Sequence, residues 1–122
     1  MRKDFGEFLV QKRLQRDISA KWLSEALGIS QVYMCDIEKG RRRISESLLP
    51  RLADILLLSE EDRYMMYDLA AKSKNTISAD LLEYITQNDI VRKVLRVAQK
   101  NGVSDETWQE FIERISVQED KK

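Results

Sequence analysis

Apolar side chains recur three and four residues apart along almost the whole of this 122-residue chain, and no stretch alternates with period two between turn signals. A 3.6-residue repeat lines such positions on one helix face, whereas a half-buried strand buries every second residue. The chain is therefore expected to be all-α. Four glycines and one proline leave few interruptions, and 34% charged with 43% hydrophobic residues is the composition of a folded helical protein. The length allows one compact domain, or a small domain with an appendage, around one modest core.

The first helix is expected from about Asp4 to Arg16, with Phe5, Phe8 and Leu9 on its inner face. Ser19 caps a second that turns Trp22, Leu23, Ala26 and Leu27 inward and stops at Gly28; Ser30 caps a third that buries Met34 and Ile37 and runs to Lys39 before Gly40. Leu48, Leu52, Ile55 and Leu56 form the core face of a fourth helix, over Ser47 to Leu57. Its Pro50 is tolerable only in the first turn, where its missing N–H has no partner to lose. Ser59 and Asp62 open a fifth helix through Tyr64, Met65, Asp68 and Leu69, with Trp22 and the Tyr64 to Tyr67 cluster read as core. A polar joint at residues 73–77 precedes three further helices carrying Leu81, Leu82 and Ile85, then Ile90, Val94 and Ala98, then Trp108, Phe111 and Ile115, with Val103 placed to staple onto Trp108. The expected division is 1–73, an N-terminal helical domain, 78–117, a small C-terminal helical region, and 118–122, a frayed tail.

Several function classes are disfavoured. A single cysteine, Cys35, forms no internal disulfide, and with no histidine the usual zinc ligands are missing. Cys35 reads as a serine substitute rather than a redox sensor. No metal and no cofactor are expected. Without histidine, a glycine-rich phosphate loop or a nucleophile beside a base, the chain is not expected to be an enzyme. No signal peptide or membrane span is evident, so a cytoplasmic protein is expected. Net charge is zero, yet Met1 to Ala53 carries eleven Lys or Arg against seven acids, which suggests a basic nucleic-acid surface beside an acidic C-terminal region.

The segment Leu23-Ser-Glu-Ala-Leu-Gly28-Ile-Ser-Gln-Val-Tyr-Met34 has the residue types of two short helices joined by a tight turn. Gly28 supplies the positive φ of the reversal, Ser24 is small where the helices cross, and Leu23, Leu27, Ile29, Met34 and Ile37 form the wedge that fixes the crossing angle. Those residues, with Lys12-Arg13, the ending Ile37-Glu38-Lys39-Gly40 and Leu52-Ala-Asp-Ile-Leu56, resemble the lambda-repressor/Cro-like (XRE) family of DNA-binding domains over about Phe5 to Leu58. The resemblance implies a five-helix domain of that type. It also implies that Arg13 pairs with Glu38, making Arg13, Leu23, Gly28, Met34, Ile37, Glu38 and Gly40 the structural motif.

By the same resemblance, the start of the third helix faces base edges in the major groove. Gln31, Val32 and, one turn on, Asp36 are the candidates, suited to adenine, a thymine methyl and cytosine N4 respectively. Asp36 is alternatively a group that orients an arginine. Ala20 stands where many relatives carry a glutamine. Ser19, Ser30, Tyr33, Lys39, Arg41, Arg42 and Arg43 are the candidate phosphate contacts, Tyr33 being equally readable as a structural rim residue. The implied partner is double-stranded operator DNA bound by a homodimer, and the implied role is transcriptional regulation by repression. The alternative is an antitoxin or adaptor whose region 78–117 binds a protein partner.

Overall fold

The computed structural model of the chain describes residues 4–120, all helices and connections with no strand among them. The helices are α1 (Phe5–Gln15), α2 (Ala20–Leu27), α3 (Gln31–Glu38), α4 (Leu49–Ile55) entered through a 3-10 turn at Glu46–Leu48, α5 (Glu60–Ser73), α6 (Ala79–Gln87), α7 (Asp89–Asn101) and α8 (Asp105–Asp120). They form two compact units that divide between Ala79 and Asp80. Helical backbone continues through three residues of the expected tail, and Lys121 and Lys122 lie outside the described residues.

Local chemistry sets the helix ends. Asp4, Ser19, Ser30, Ser59 and Ser104 each accept a hydrogen bond from the backbone N–H three residues on, at 2.8–3.2 Å, supplying one of the partners a first turn lacks. Six helices end alike: one residue turns left-handed and the next donates its N–H to the carbonyl five residues back, as Ile18 does to Arg13, Ile29 to Ser24, Arg41 to Asp36, Leu58 to Ala53, Thr76 to Ala71 and Val103 to Ala98. Glycine takes the left-handed position at 28, 40 and 102, whereas Asp17, Leu57 and Asn75 take it at φ 52–57°. Leu57 accepts about 1 kcal/mol or more of strain there, and its side chain is exposed.

The N-terminal unit has one core, in which Phe8, Leu9, Leu23, Met34, Ile37, Leu52, Leu56 and Met66 are essentially inaccessible. Three expectations are corrected. Trp22 is 52% exposed, because the inner stripe of the short α2 is Leu23, Ser24 and Leu27 and Trp22 lies one residue, about 100°, off it. In α5 the buried face is Met66, Ala70 and Ala71, not Tyr64 and Met65, both of which are exposed; the Tyr64 hydroxyl donates to Glu60 from the solvent side. In α4 the core face is Leu49, Leu52, Ala53 and Leu56, with Leu48 and Ile55 only half-buried, because the 3-10 turn delays the helix to Leu49 and puts Pro50 in its first turn.

α1 packs on α3 and α5, and α2 on α3. The α1 to α3 approach is close enough that a Cβ on Gly6 would lie 2.3 Å from the Glu38 carbonyl oxygen and 2.9 Å from that of Ile37. Further along α1, Arg13 donates from Nε to Glu38 Oε2 at 2.8 Å, from a second nitrogen to Glu38 Oε1 at 3.3 Å and from the third to the Ile18 carbonyl at 3.0 Å. Both side chains of this pair are less than 15% exposed. Lys12 pairs with Asp62 at 2.8 Å and so ties α1 to α5.

In the C-terminal unit, Arg92 donates to the Ile85 and Thr86 carbonyls and to Asp89, fastening the end of α6 to the start of α7. α7 turns into α8 at the left-handed Gly102, and within α8 Trp108 lies edge-on to Phe111 at 6.3 Å. None of the side chains described in this unit is buried.

The α1 to α3 brace generates two expected outcomes. Gly6→Ala should lower stability by about 1–3 kcal/mol through overpacking, although the same exchange in an open helix gains about 1 kcal/mol; an unchanged or raised urea midpoint contradicts this. Arg13→Ala or Glu38→Ala should each cost about 3–5 kcal/mol by leaving a largely buried charge unpaired. The double variant should cost clearly less than the sum, which a double-mutant cycle on urea midpoints will read.

Candidate nucleic-acid interface

The α2 to α3 turn depends on Gly28, whose φ of 73° lets Ile29 N–H reach back to the Ser24 carbonyl. Ser24 is fully buried at the crossing, and its hydroxyl donates to the Lys21 carbonyl at 2.7 Å. Leu23 and Leu27 from α2 meet Met34 and Ile37 from α3 in the core, so the inner half of α3 is fixed by packing. The Arg13 fork holds its last residue. The helix runs between Ser30 and Lys39 as caps, the limits its sequence predicts.

The first two residues of α3 face solvent. Gln31 is exposed and Val32 is 71% exposed, an apolar side chain presented to solvent at the helix start. Asp36, one turn on, is only 23% exposed; its carboxylate lies 3.9 Å from the Arg41 guanidinium. Its carbonyl accepts from the Arg41 and Arg42 N–H groups at 2.8 and 3.3 Å.

Lys39, Arg41, Arg42 and Arg43 all carry exposed side chains, but the backbone beneath them is anchored. Gly40, at φ 77°, makes the exit from α3. Ile44, immediately after the arginines, is 3% exposed and belongs to the core. Between these points the Tyr33 hydroxyl donates to the Arg43 carbonyl at 3.2 Å and accepts from the Ser45 N–H at 3.1 Å, and the Arg42 guanidinium stacks 4.6 Å from the Tyr33 ring centre. Tyr33, Asp36, Arg41, Arg42 and Arg43 thus gather into one cluster at the exposed edge of α3. Ser19 and Ser30 lie outside it, each accepting from the first turn of the helix it caps.

Sequence reasoning missed Gly6, Ile44 and Ser45. Ile44 carried a legible signal, an isolated apolar residue closing a basic run. Gly6 carried one too, a glycine inside a helical pattern, which marks close backbone approach when nothing local needs it. Ser45 carried none, since its contact with Tyr33 is made by the backbone N–H.

A family profile described as helix-turn-helix domain matches residues 4–64, half of the chain. A chain of the solved SinR protein/SinI protein complex aligns over 95% of this chain and 98% of its own, at 20% identity and a TM-score of 0.49. No curated protein matches. With the turn, the wedge and the Arg13 to Glu38 pair in the arrangement its sequence resembles, the chain belongs to the helix-turn-helix domain family, of the XRE-like, lambda-repressor/Cro kind.

Proposed function

We propose that the protein is a sequence-specific double-stranded DNA-binding regulator without enzymatic activity, acting in the cytoplasm as a homodimer and repressing transcription by occupying an operator. The observation that carries this reading is the pairing of an exposed helix start, Gln31 and Val32, with an anchored basic loop on the same helix. Base edges are read by Gln31, which can bond bidentately to adenine, and by Val32, which can pack on a thymine methyl. Asp36 contributes chiefly by holding Arg41, for which the 3.9 Å approach is the support. Lys39, Arg41, Arg42 and Arg43, with Ser19 and Ser30 at helix starts, engage phosphates, which set register and most of the affinity.

Dimerisation is assigned to the C-terminal unit. A 43-residue unit lies near the size at which isolated domains need outside support, and this one has an apolar face with no interior. A groove of about 530 Å³ between α7 and α8 is lined by Ile90, Val94, Val97, Trp108 and Phe111 among others, and Ile112 and Ile115, also on α8, are about half exposed. Its polar rim carries Lys93 and Arg114 with Glu110, both signs on one surface, so a two-fold pairing can oppose unlike charges. The unburied apolar face is also the observation that favours the second reading, an adaptor that binds a different protein.

Selection from random duplexes should enrich a palindrome with half-sites about one turn, ~34 Å, apart. With ~3 phosphates neutralised per protomer, log K should fall against log salt with a slope near −5. Absence of enrichment at low salt overturns the DNA reading. Sedimentation of the full chain should give a dimer that Val94→Asp or Phe111→Asp converts to monomer, with operator affinity falling at least tenfold. A monomeric wild-type chain removes the homodimer and leaves the face to a different protein.

A further inference from the structure

A phenolic hydroxyl has one proton to give and two lone pairs to receive. Tyr33 spends the proton on the Arg43 carbonyl and one lone pair on the Ser45 N–H. Those two groups bracket Ile44, whose side chain is buried in the core, so the hydroxyl pins the loop where it leaves the basic run. The other end of the run is pinned by the Asp36 carbonyl, which accepts from Arg41 and Arg42. Above the pinned backbone the Tyr33 ring is also the platform for the Arg42 guanidinium. A single side chain of α3 therefore holds both the path of the loop and one of its cations.

We propose that Tyr33 is the positioning residue of the phosphate clamp, not one of its ligands: it locks the loop Arg41 to Ser45 to α3, so that the cations and the base-facing residues Gln31 and Val32 meet DNA as one rigid surface. The proposal rests on the DNA-binding reading above. Its physical content is preorganisation. A long arginine free in solvent must surrender rotamer freedom when it binds a phosphate, whereas one already stacked on an aromatic ring surrenders less. Register between the base contacts and phosphate contacts is likewise fixed before DNA arrives, because the loop cannot slide while its exit is bonded to the third residue of α3.

The decisive variant is Tyr33→Phe, which keeps the ring and its stacking and removes the hydroxyl alone. In the free protein, amide exchange at Ser45 should accelerate roughly tenfold, the effect of losing one ordinary hydrogen bond, while amides of α1 and α4 stay as in the wild type. Affinity for the selected duplex should fall about tenfold with the salt slope unchanged, since no charge is removed. Arg42→Ala, by contrast, should flatten the slope by about one for each protomer. Ser45→Pro gives a second route to the same bond: the native φ of −67° suits proline, and the variant deletes the N–H donor together with the hydroxyl that meets Ser47; it should reproduce the affinity loss with Tyr33 intact, whereas Ser45→Ala, which removes the hydroxyl alone, should leave affinity as in the wild type.

If Tyr33→Phe lowers affinity while Ser45 exchange is unchanged, the hydroxyl is a direct phosphate ligand and the proposal is overturned. Unchanged exchange with unchanged affinity overturns it equally. Faster exchange in a protein that binds no duplex at any salt leaves the loop contact real but removes its role in a clamp, and in that event the failure is of the DNA reading.

Discussion

The Arg13 guanidinium satisfies a demand that α3 creates and cannot meet. Glu38 closes α3, where the unpaired carbonyls already make the helix end negative, so a carboxylate there opposes the helix dipole. Arg13 brings a delocalised cation to that end and binds both carboxylate oxygens, with its third nitrogen on the carbonyl of Ile18 in the α1 to α2 connection. An eight-residue helix has almost no stability of its own in water, so the direction in which α3 points is set by what grips it. Apolar packing grips its inner face, and the Arg13 fork grips its end. Gly6 belongs to the same device, because only a residue without a Cβ lets α1 rest on the carbonyls of Ile37 and Glu38.

Much of the N-terminal unit was legible because its signals are local. Caps at Ser19, Ser30 and Ser59, the turn at Gly28 and the inner positions Phe8, Leu23, Met34 and Ile37 depend on residues within a few positions of each other. The errors arose where adjacent large apolar residues compete for one inner face. Trp22 beside Leu23, and Tyr64 and Met65 beside Met66, cannot all point inward on a helix. Small partners decide the matter: Ala70 and Ala71 bring α5 close on the face shared with Met66. Size favours the aromatic at such a choice, and the three-dimensional neighbour does not appear in the sequence.

The interface divides in the same way. Placement of α3 followed from pattern, and the Arg13 to Glu38 pair from family resemblance. The anchoring of the basic loop followed from neither, because its bonds run from a tyrosine hydroxyl to backbone groups ten and twelve residues away. Backbone partners leave no mark in residue identity. The C-terminal unit shows a further limit. Its helices and their amphipathic faces were legible, yet whether such a face closes on itself or stays open depends on how three short helices fit, and here it stays open.

The shared ending of six helices acquires a different meaning at α3. In α1, α2, α4 and α7 the residue after the left-handed turn is Ile18, Ile29, Leu58 or Val103, an apolar side chain returned toward the protein; in α5 it is Thr76; in α3 it is Arg41. The cation thus occupies a site whose location is dictated by main-chain geometry and by Gly40, independent of which side chain stands there. Residues 41–43 can therefore be exchanged over evolutionary time without rerouting the chain. Such a fold can retune the charge it displays at this loop while the orientation of α3 is inherited unchanged.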